Sequence, residues 1–287
     1  MNRTEFHDRV VNQQTVWCAG AYDALSAKLI EAAGFEAVFT SGFCVSAALL
    51  GQPDVELYTM SENLDVVSKV VSAVHCPVVA DIDTAYGNAI NVMRTVSEFE
   101  RAGVYGVVIE DQRSPKSCPA IAKMLEILPV EEAAGKIRAA VSARKDPNLL
   151  IVARTDAVDE SEAIARAKAY VAAGADLIQP ISRTFKDLTG LQTLRRECGV
   201  PLSVQMVGWY ERDLTPQDVE TIGGIAVFPV APLMTAVAAL IENLAAMRET
   251  KSLKSLPRHK LDHVAFEGMI GFEEITALQK RFMPASA

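Results

Sequence analysis

The sequence predicts a closed (β/α)8 barrel of the TIM type, carrying extra helices at its C-terminal end. Three observations predict it. Short apolar runs alternate with helical patterns along the whole chain. The runs are continuously apolar, as strands of a parallel sheet buried on both faces must be. No GxGxxG turn follows any of them, which disfavours an open doubly wound sheet. The 287 residues, half of them hydrophobic, supply one large core without a linker of domain size. A single domain over 1–287 is expected, with 233–287 as its helical arm.

The expected strands are Val16–Gly20, Ala37–Thr40, Pro77–Asp81, Gly106–Glu110, Leu150–Arg154, Asp176–Pro180, Leu202–Met206 and Ala226–Pro229. The segments between them have helical periodicity. In Thr59–Val74 the apolar positions Leu64, Val67, Val71 and Val74 share a face, and Thr59 with Glu62 forms a capping box. Helices are punctuated by glycine before a strand at Gly34, Gly103, Gly174 and Gly223, and by proline at Pro77, Pro147 and Pro201. After the eighth run, Leu233–Met247 and Leu261–Phe282 have helical patterns, separated by the basic link Thr250–His259. That is more chain than one closing helix needs, and an arm of this kind is expected to pack on a neighbouring subunit.

A net charge of −8, with no basic cluster, argues against nucleic acid or an anionic membrane as partner. The opening MNRTEFHDRV has no apolar run and no stretch is long enough to span a bilayer, so a soluble cytoplasmic protein is expected. Five scattered cysteines without CxxC spacing form neither a disulfide framework nor a zinc site. Cys18, Cys44 and Cys76 read as core thiols, whereas Cys118 falls in a polar, broken loop.

Catalytic groups of such barrels come from the C-terminal strand ends. Here these are Ser41, Asp81, Asp83, Glu110, Asp111, Arg154 and Gln205. Asp81, Asp83 and Glu110 would face one another across the mouth. Unpaired carboxylates are costly in a low-dielectric cavity, so a cation is expected, and all-oxygen ligands without a nearby His favour Mg2+ or Mn2+. Either Asp alone would also suit as the cap of the helix beginning near Asn88.

These residues carry a resemblance. Asp81-Ile-Asp83-Thr-Ala-Tyr-Gly87-Asn88 resembles the D-x-D-x-G-[FY]-G-N metal motif of the isocitrate lyase/phosphoenolpyruvate mutase superfamily, and Glu110-Asp111-Gln112-Arg-Ser-Pro115-Lys116-Ser-Cys118 resembles its E-D-Q-x-x-P-K-R-C-G-H segment. The segment Ala21-Tyr22-Asp-Ala-Leu-Ser-Ala27, Thr40-Ser41-Gly42 and Ala153-Arg154-Thr155-Asp156 extend the match. The resemblance implies a Mg2+-dependent (β/α)8 barrel, usually a homotetramer that exchanges its last helix between subunits. Its chemistry makes or breaks C–C or P–C bonds beside a 2-oxo or 2-hydroxy carboxylate. It further implies that Asp81, Asp83 and Glu110 hold the metal, with Asp54 nearby. Tyr22, Ser41, Gly42, Phe43, Asp54 and Gln205 are then expected at the substrate, with backbone N–H groups of Ser41, Gly42 and Phe43 gripping a carboxylate. Arg154 would stabilise the developing oxyanion. Cys118 would protonate the enolate left by cleavage, with Lys116 tuning its thiol. Asp54 after Pro53 also reads as a turn residue, and Cys118 as an idle loop thiol.

Departures from the family pattern limit what the resemblance says about substrate. Pro119-Ala120 replaces Gly-His, Ile181 and Gly208 stand where many C–C lyases carry Glu, and Ala85 replaces a Gly of the metal motif. Trp209 and Tyr210 suit either the mouth or the core. The leading reading is a lyase cleaving a C–C bond of a malate- or methylisocitrate-like 2-hydroxy dicarboxylate through a metal-stabilised enolate. Alternatives are an oxaloacetate-type decarboxylase or hydrolase, a phosphonopyruvate-type P–C enzyme, and a non-catalytic binding barrel.

Overall fold

Apolar strands flanked by amphipathic helices close into a ring. The computed structural model describes residues 1–12, 14–119 and 121–283. Its eight strands pair in parallel and in sequence order to form a closed barrel. They are β1 (Val16–Ala21), β2 (Ala37–Thr40), β3 (Val78–Asp81), β4 (Gly106–Glu110), β5 (Leu150–Thr155), β6 (Leu177–Pro180), β7 (Leu202–Gln205) and β8 (Gly223–Phe228). Pairing of Cys18 with Ala37 joins β1 to β2, and pairing of Val16 with Ile225 joins β1 to β8.

Every expected strand is present, and the bounds agree to within a residue except at the start of β8. That strand begins at Gly223, not Ala226, with Gly223 opposite Leu202 of β7. A Gly-Gly start offers no side chains from which an apolar run could be read. Gly223 therefore belongs to the strand and does not end a helix, whereas Gly34, Gly103 and Gly174 take the expected positive φ.

The helices up to β8 are α1 (Arg3–Val11), α2 (Ala24–Ala32), α3 (Gly42–Leu50), α4 (Met60–Ala73), α5 (Ala89–Ala102), α6 (Val130–Ala143), α7 (Glu160–Ala172), α8 (Leu188–Cys198), α9 (Trp209–Asp213) and α10 (Pro216–Glu220). The Thr59–Glu62 capping box opens α4 as the sequence predicts. Its buried face is Asn63, Val66, Val67 and Val70, rotated from the expected stripe. The rotation has a polar cause: Asn63 turns inward and donates to the Asp81 carbonyl at 2.9 Å.

Phe6 and Val10 of α1 pack with Phe39, Val79, Leu150 and Val227 in one buried cluster. The helix lies close against the strand starts, since a Cβ added to Gly224 would come 2.5 Å from the Val10 carbonyl oxygen. The N-terminal end of the barrel is thus stoppered. Burying each of these side chains contributes about 1.5–3 kcal/mol.

The chain divides into two compact units, Met1–Leu233 and Met234–Ala287. The second holds most of α11 (Ala231–Thr250) together with α12 (His263–Ile270) and α13 (Phe272–Phe282). None of these three helices buries a residue. Leu240, Ile241, Leu244, Phe272, Ile275 and Phe282 are among their exposed apolar side chains. Among the described residues no helix is long and apolar enough to cross a membrane.

Candidate active site

Parallel strands put their C-terminal ends at one mouth, and the polar residues singled out in the sequence collect there. Asp81 closes β3, Glu110 closes β4, Arg154 lies in β5 and Gln205 closes β7. Asp83 follows in the turn after β3, where Asp83, Ala85 and Tyr86 all take positive φ. Neither Asp caps α5. Asn88 does so, accepting from the N–H groups of Ile90 and Asn91.

The carboxylates are buried and short of donors. Asp83, Glu110 and Asp54 are at most 7% exposed. One oxygen each of Asp54 and Asp83, and both oxygens of Glu110, lack a hydrogen bond. The Lys116 ammonium stands among them, 2.6 Å from Asp83 Oδ1, 3.0 Å from Asp54 Oδ2 and 3.9 Å from Glu110 Oε2. Arg154 Nη1 reaches Glu110 Oε2 at 2.9 Å, an ion pair that lacks hydrogen-bond alignment.

Electrostatics follow from this crowding. Burial, and then Asp83, push the Asp81 carboxyl up to about 6, against the pull of Lys116 and Arg154. Burial also raises Glu110 well above the usual carboxylate range. Lys116 is pushed down by burial, but Asp83, Glu110 and Asp54 outweigh this and hold its proton firmly.

Around this centre each charged group has a support. Asp156 grips Arg154 through Nε at 2.8 Å and Nη2 at 3.0 Å, and accepts a further bond from Gln112. The Asp156 N–H donates to Asp111 at 2.9 Å, and Asp111 also accepts from Tyr170 at 2.7 Å and from Arg166 at 3.3 Å. A small cavity beside this network is lined by Glu110, Asp111, Lys136, Arg154 and Tyr170. Behind the metal-motif turn, Tyr86 donates to Asp83 Oδ2 at 3.2 Å and accepts from Asn63 at 2.8 Å.

The other sequence-predicted residues fall as follows. Ser41 caps α3, but its N–H is engaged by the Ala21 carbonyl at 3.2 Å. The Gly42 N–H points at Asp81 Oδ2, 3.3 Å away. Gly42 must lack a side chain, since a Cβ there would lie 2.9 Å from the Tyr58 hydroxyl and 3.1 Å from both Asp81 and Asp83. Of the expected nest, Phe43 in the first turn of α3 is not drawn into either bond. Half-buried Tyr22 follows β1, with its N–H on Ser26. Gln205 donates to Gln179 at 3.0 Å.

Two expectations about the loop after β4 are corrected. Cys118 is buried, 6% exposed, and not an open loop thiol. Lys116 sends its ammonium into the carboxylates, so its charge serves Asp83 and Asp54. Both follow from burial of the 116–118 stretch, a feature that a polar local sequence hides. Ala120 lies outside the described residues. Trp209 and Tyr210 are structural: the indole N–H donates to Phe185 at 2.7 Å, and the phenol donates to the Ile181 carbonyl at 3.1 Å.

Sequence reasoning missed Glu56, Thr84 and Lys136. Thr84 donates to Glu56, and Lys136 of α6 donates to the Thr84 carbonyl. Lys136 had a readable signal, since it shares the buried face of α6 with Ala133, Ile137 and Ala140.

Among the described residues no three His, Cys, Asp or Glu side chains stand at metal-binding spacing. The donors nonetheless fit a hard divalent cation. They are oxygens only; Asp83 and Glu110 are buried and Asp81 half-buried, and one oxygen of Asp83 and both of Glu110 lack a hydrogen bond.

Residues 6–250 match the family model described as phosphoenolpyruvate phosphomutase. The chain is 35% identical over 278 residues to the 2,3-dimethylmalate lyase of Eubacterium barkeri, covering 94% of each. It is 38% identical over 208 residues to an oxaloacetate decarboxylase of Pseudomonas putida, covering 72% of this chain and 71% of that one. Phosphonopyruvate hydrolase, crystallised in complex with oxalate and Mg2+, superposes with a TM-score of 0.88 at 30% identity, over 99% of this chain and all of the other.

Proposed function

Since the chain belongs to the phosphoenolpyruvate phosphomutase family, within the isocitrate lyase/phosphoenolpyruvate mutase superfamily of lyases and mutases, we propose that it is a lyase breaking a C–C bond of a small 2-hydroxy di- or tricarboxylate, of the dimethylmalate or methylisocitrate kind. One observation carries this reading. Buried oxygens of Asp83, Glu110 and Asp54 without hydrogen bonds converge with Arg154 and Lys116 at one end of the barrel, with buried Cys118 two residues beyond Lys116. A non-catalytic barrel has no need of so costly a cluster.

Asp81, Asp83 and Glu110 would hold Mg2+ or Mn2+. When bound, the cation supplies Lewis acidity toward the oxygen on C2. The protein's own groups do the rest. The first turn of α3, with Phe43, offers N–H groups to a substrate carboxylate. Arg154, clamped by Asp156, keeps a fixed positive charge on the C2 oxygen. As the C2–C3 bond breaks, the C2 hydroxyl passes its proton to the Asp54 carboxylate, whose Oδ1 lacks a hydrogen bond, C2 becomes the carbonyl of a 2-oxo acid, and the bond pair passes to C3 as an enolate. Cys118, shielded from bulk water, gives its proton to that carbon.

A second reading is decarboxylation of an oxaloacetate-like 2-oxo acid. Ile181 and Gly208, which provide no carboxylate, favour it, as does the likeness to oxaloacetate decarboxylases. The apolar faces of α11–α13 support a homo-oligomer built through the arm, a tetramer by the habit of the superfamily, and the acidic chain fits a cytoplasmic enzyme. The deciding experiment incubates the protein and Mg2+ with a panel of 2-hydroxy and 2-oxo acids and follows products by NMR. Two-fragment products support the lyase. Loss of CO2 alone makes it a decarboxylase.

A further inference from the structure

The carboxylate of Glu56 is shared between two parts of the site that the sequence separates. Its Oε1 accepts from Thr84 Oγ1, inside the Asp81–Asn88 metal motif. Its Oε2 accepts from Ser114 Oγ at 2.7 Å and from the Lys116 N–H at 3.1 Å, in the segment that carries Lys116 and Cys118. Thr84 is in turn fixed from behind, where its carbonyl receives the buried Lys136 ammonium.

Backbone conformation marks the same place. Among the described residues, Glu56, Asp83, Ala85, Tyr86 and Lys251 are the non-glycine residues with positive φ. Four of these five lie at Glu56 or in the turn that it touches. Residues in the left-handed region persist only where the surroundings over-determine them. Here the surroundings are those hydrogen bonds together with the Glu110 N–H donating to the Asp83 carbonyl and the Ala85 N–H donating to the Ile82 carbonyl.

We propose that Glu56 is a positioning residue that joins the 114–118 segment to the 83–86 turn, so that burial of Cys118 in that segment and loading of the cation are one linked equilibrium. The inference rests on reading Asp81, Asp83 and Glu110 as the cation site. A hydrogen bond to a charged group is among the stronger kinds, and losing one partner leaves the other poorly satisfied. If the turn reorganises as Asp83 takes up a cation, Glu56 transmits the change to the Lys116 N–H, and opening of the segment loosens Asp83 in return. Such coupling is reciprocal by thermodynamic necessity.

The test uses full-length protein and two readouts besides turnover: the rate at which iodoacetamide labels Cys118, followed by peptide mass spectrometry, and Mn2+ affinity by electron paramagnetic resonance. Glu56→Asn is the main variant because Asn tolerates positive φ while its shorter arm cannot span both partners. Glu56→Gln keeps the span, and Thr84→Val removes only the link to the turn. Without metal, Glu56→Asn and Thr84→Val should each label Cys118 roughly tenfold faster or more, the scale of one hydrogen bond to a charged group. Mn2+ should slow labelling in the wild type and in Glu56→Gln but not in the other two. Should Thr84→Val fail to fold, Ser114→Ala reads the link from the other side, as weakened Mn2+ binding. Thr84→Val labelling at the wild-type rate, or Ser114→Ala binding Mn2+ like the wild type, overturns the proposal. A wild type that binds no Mn2+ sinks the metal reading instead, and the metal-free labelling rates still decide the link.

Discussion

Lys116 and Asp83 form the tightest ion pair of the carboxylate cluster, with Nζ 2.6 Å from Oδ1 and both side chains almost wholly buried. The ammonium stands where carboxylates converge, as a tethered counter-charge. Removing one partner of a buried pair strands the other, at a cost of about 3–5 kcal/mol. Lys116→Met should therefore lower stability by that order when measured in chelator by urea unfolding. Mg2+ should restore more stability to the variant than it adds to the wild type. Equal gains in both would show that Lys116 and the cation do not compete for the same charges.

Asp83 itself gives a direct test of the metal. Asp83→Ala should abolish turnover and Mn2+ binding together, and chelator should silence the wild type until Mg2+ or Mn2+ is returned. Full activity in excess chelator would refute a metal enzyme.

Cys118 separates the two enzyme readings. In C–C cleavage the enolate needs a proton that Arg154 holds too firmly to give. Cys118→Ser should then lower kcat by about 10²-fold or more, the scale of losing a general acid, with KM little changed. In decarboxylation, solvent can supply that proton and the substitution should be nearly silent.

The arm predicts its own loss of function. Deleting residues after Pro257 removes α12 and α13 and their exposed Phe272, Ile275 and Phe282. Light scattering should report a smaller or aggregating species, where the full chain gives a stable oligomer. A monomeric full-length protein at micromolar concentration would contradict the assembly.

Lys136 gives a pH signature. Burial lowers its pKa below 10.5, partly offset by Glu56 and Glu110. Between the lowered folded value and 10.5 the unfolded chain binds a proton that the folded chain does not, so this group makes stability rise with pH there. Below the folded value its full cost is present. The thiols of buried Cys44 and of Cys76, which is half-buried and not the core thiol the sequence suggested, are raised to about 11 and act in the opposite sense. The check is thus the difference between wild type and Lys136→Met in urea unfolding from pH 7 to 10. That difference should shift in favour of the wild type as pH rises, and a constant difference would contradict a depressed Lys136.

The barrel was legible because a strand buried on both faces must be apolar throughout, which is visible in Val78–Ala80 or Leu150–Ala153. The start of β8 escaped because Gly223 and Gly224 join the ladder by backbone alone. Asp81, Asp83, Glu110 and Arg154 could be found because strand ends aim them at one mouth. Glu56 could not, since a Glu just beyond Pro53-Asp54 reads like any solvated turn, and its role depends on partners 28 and 58 residues away. Cys118 was misjudged for a related reason: burial of a polar segment is decided by what folds over it.

The helix that closes the far end of the barrel also shapes traffic. With Phe6 and Val10 packed over the strand starts, the described residues offer no passage through that end, and the mouth bordered by the segment that Glu56 ties down is the way left to the substrate. A substrate cut in two cannot send its halves out by opposite exits. Whichever fragment sits nearer the mouth must leave first, and in excess it bars the way for the one behind.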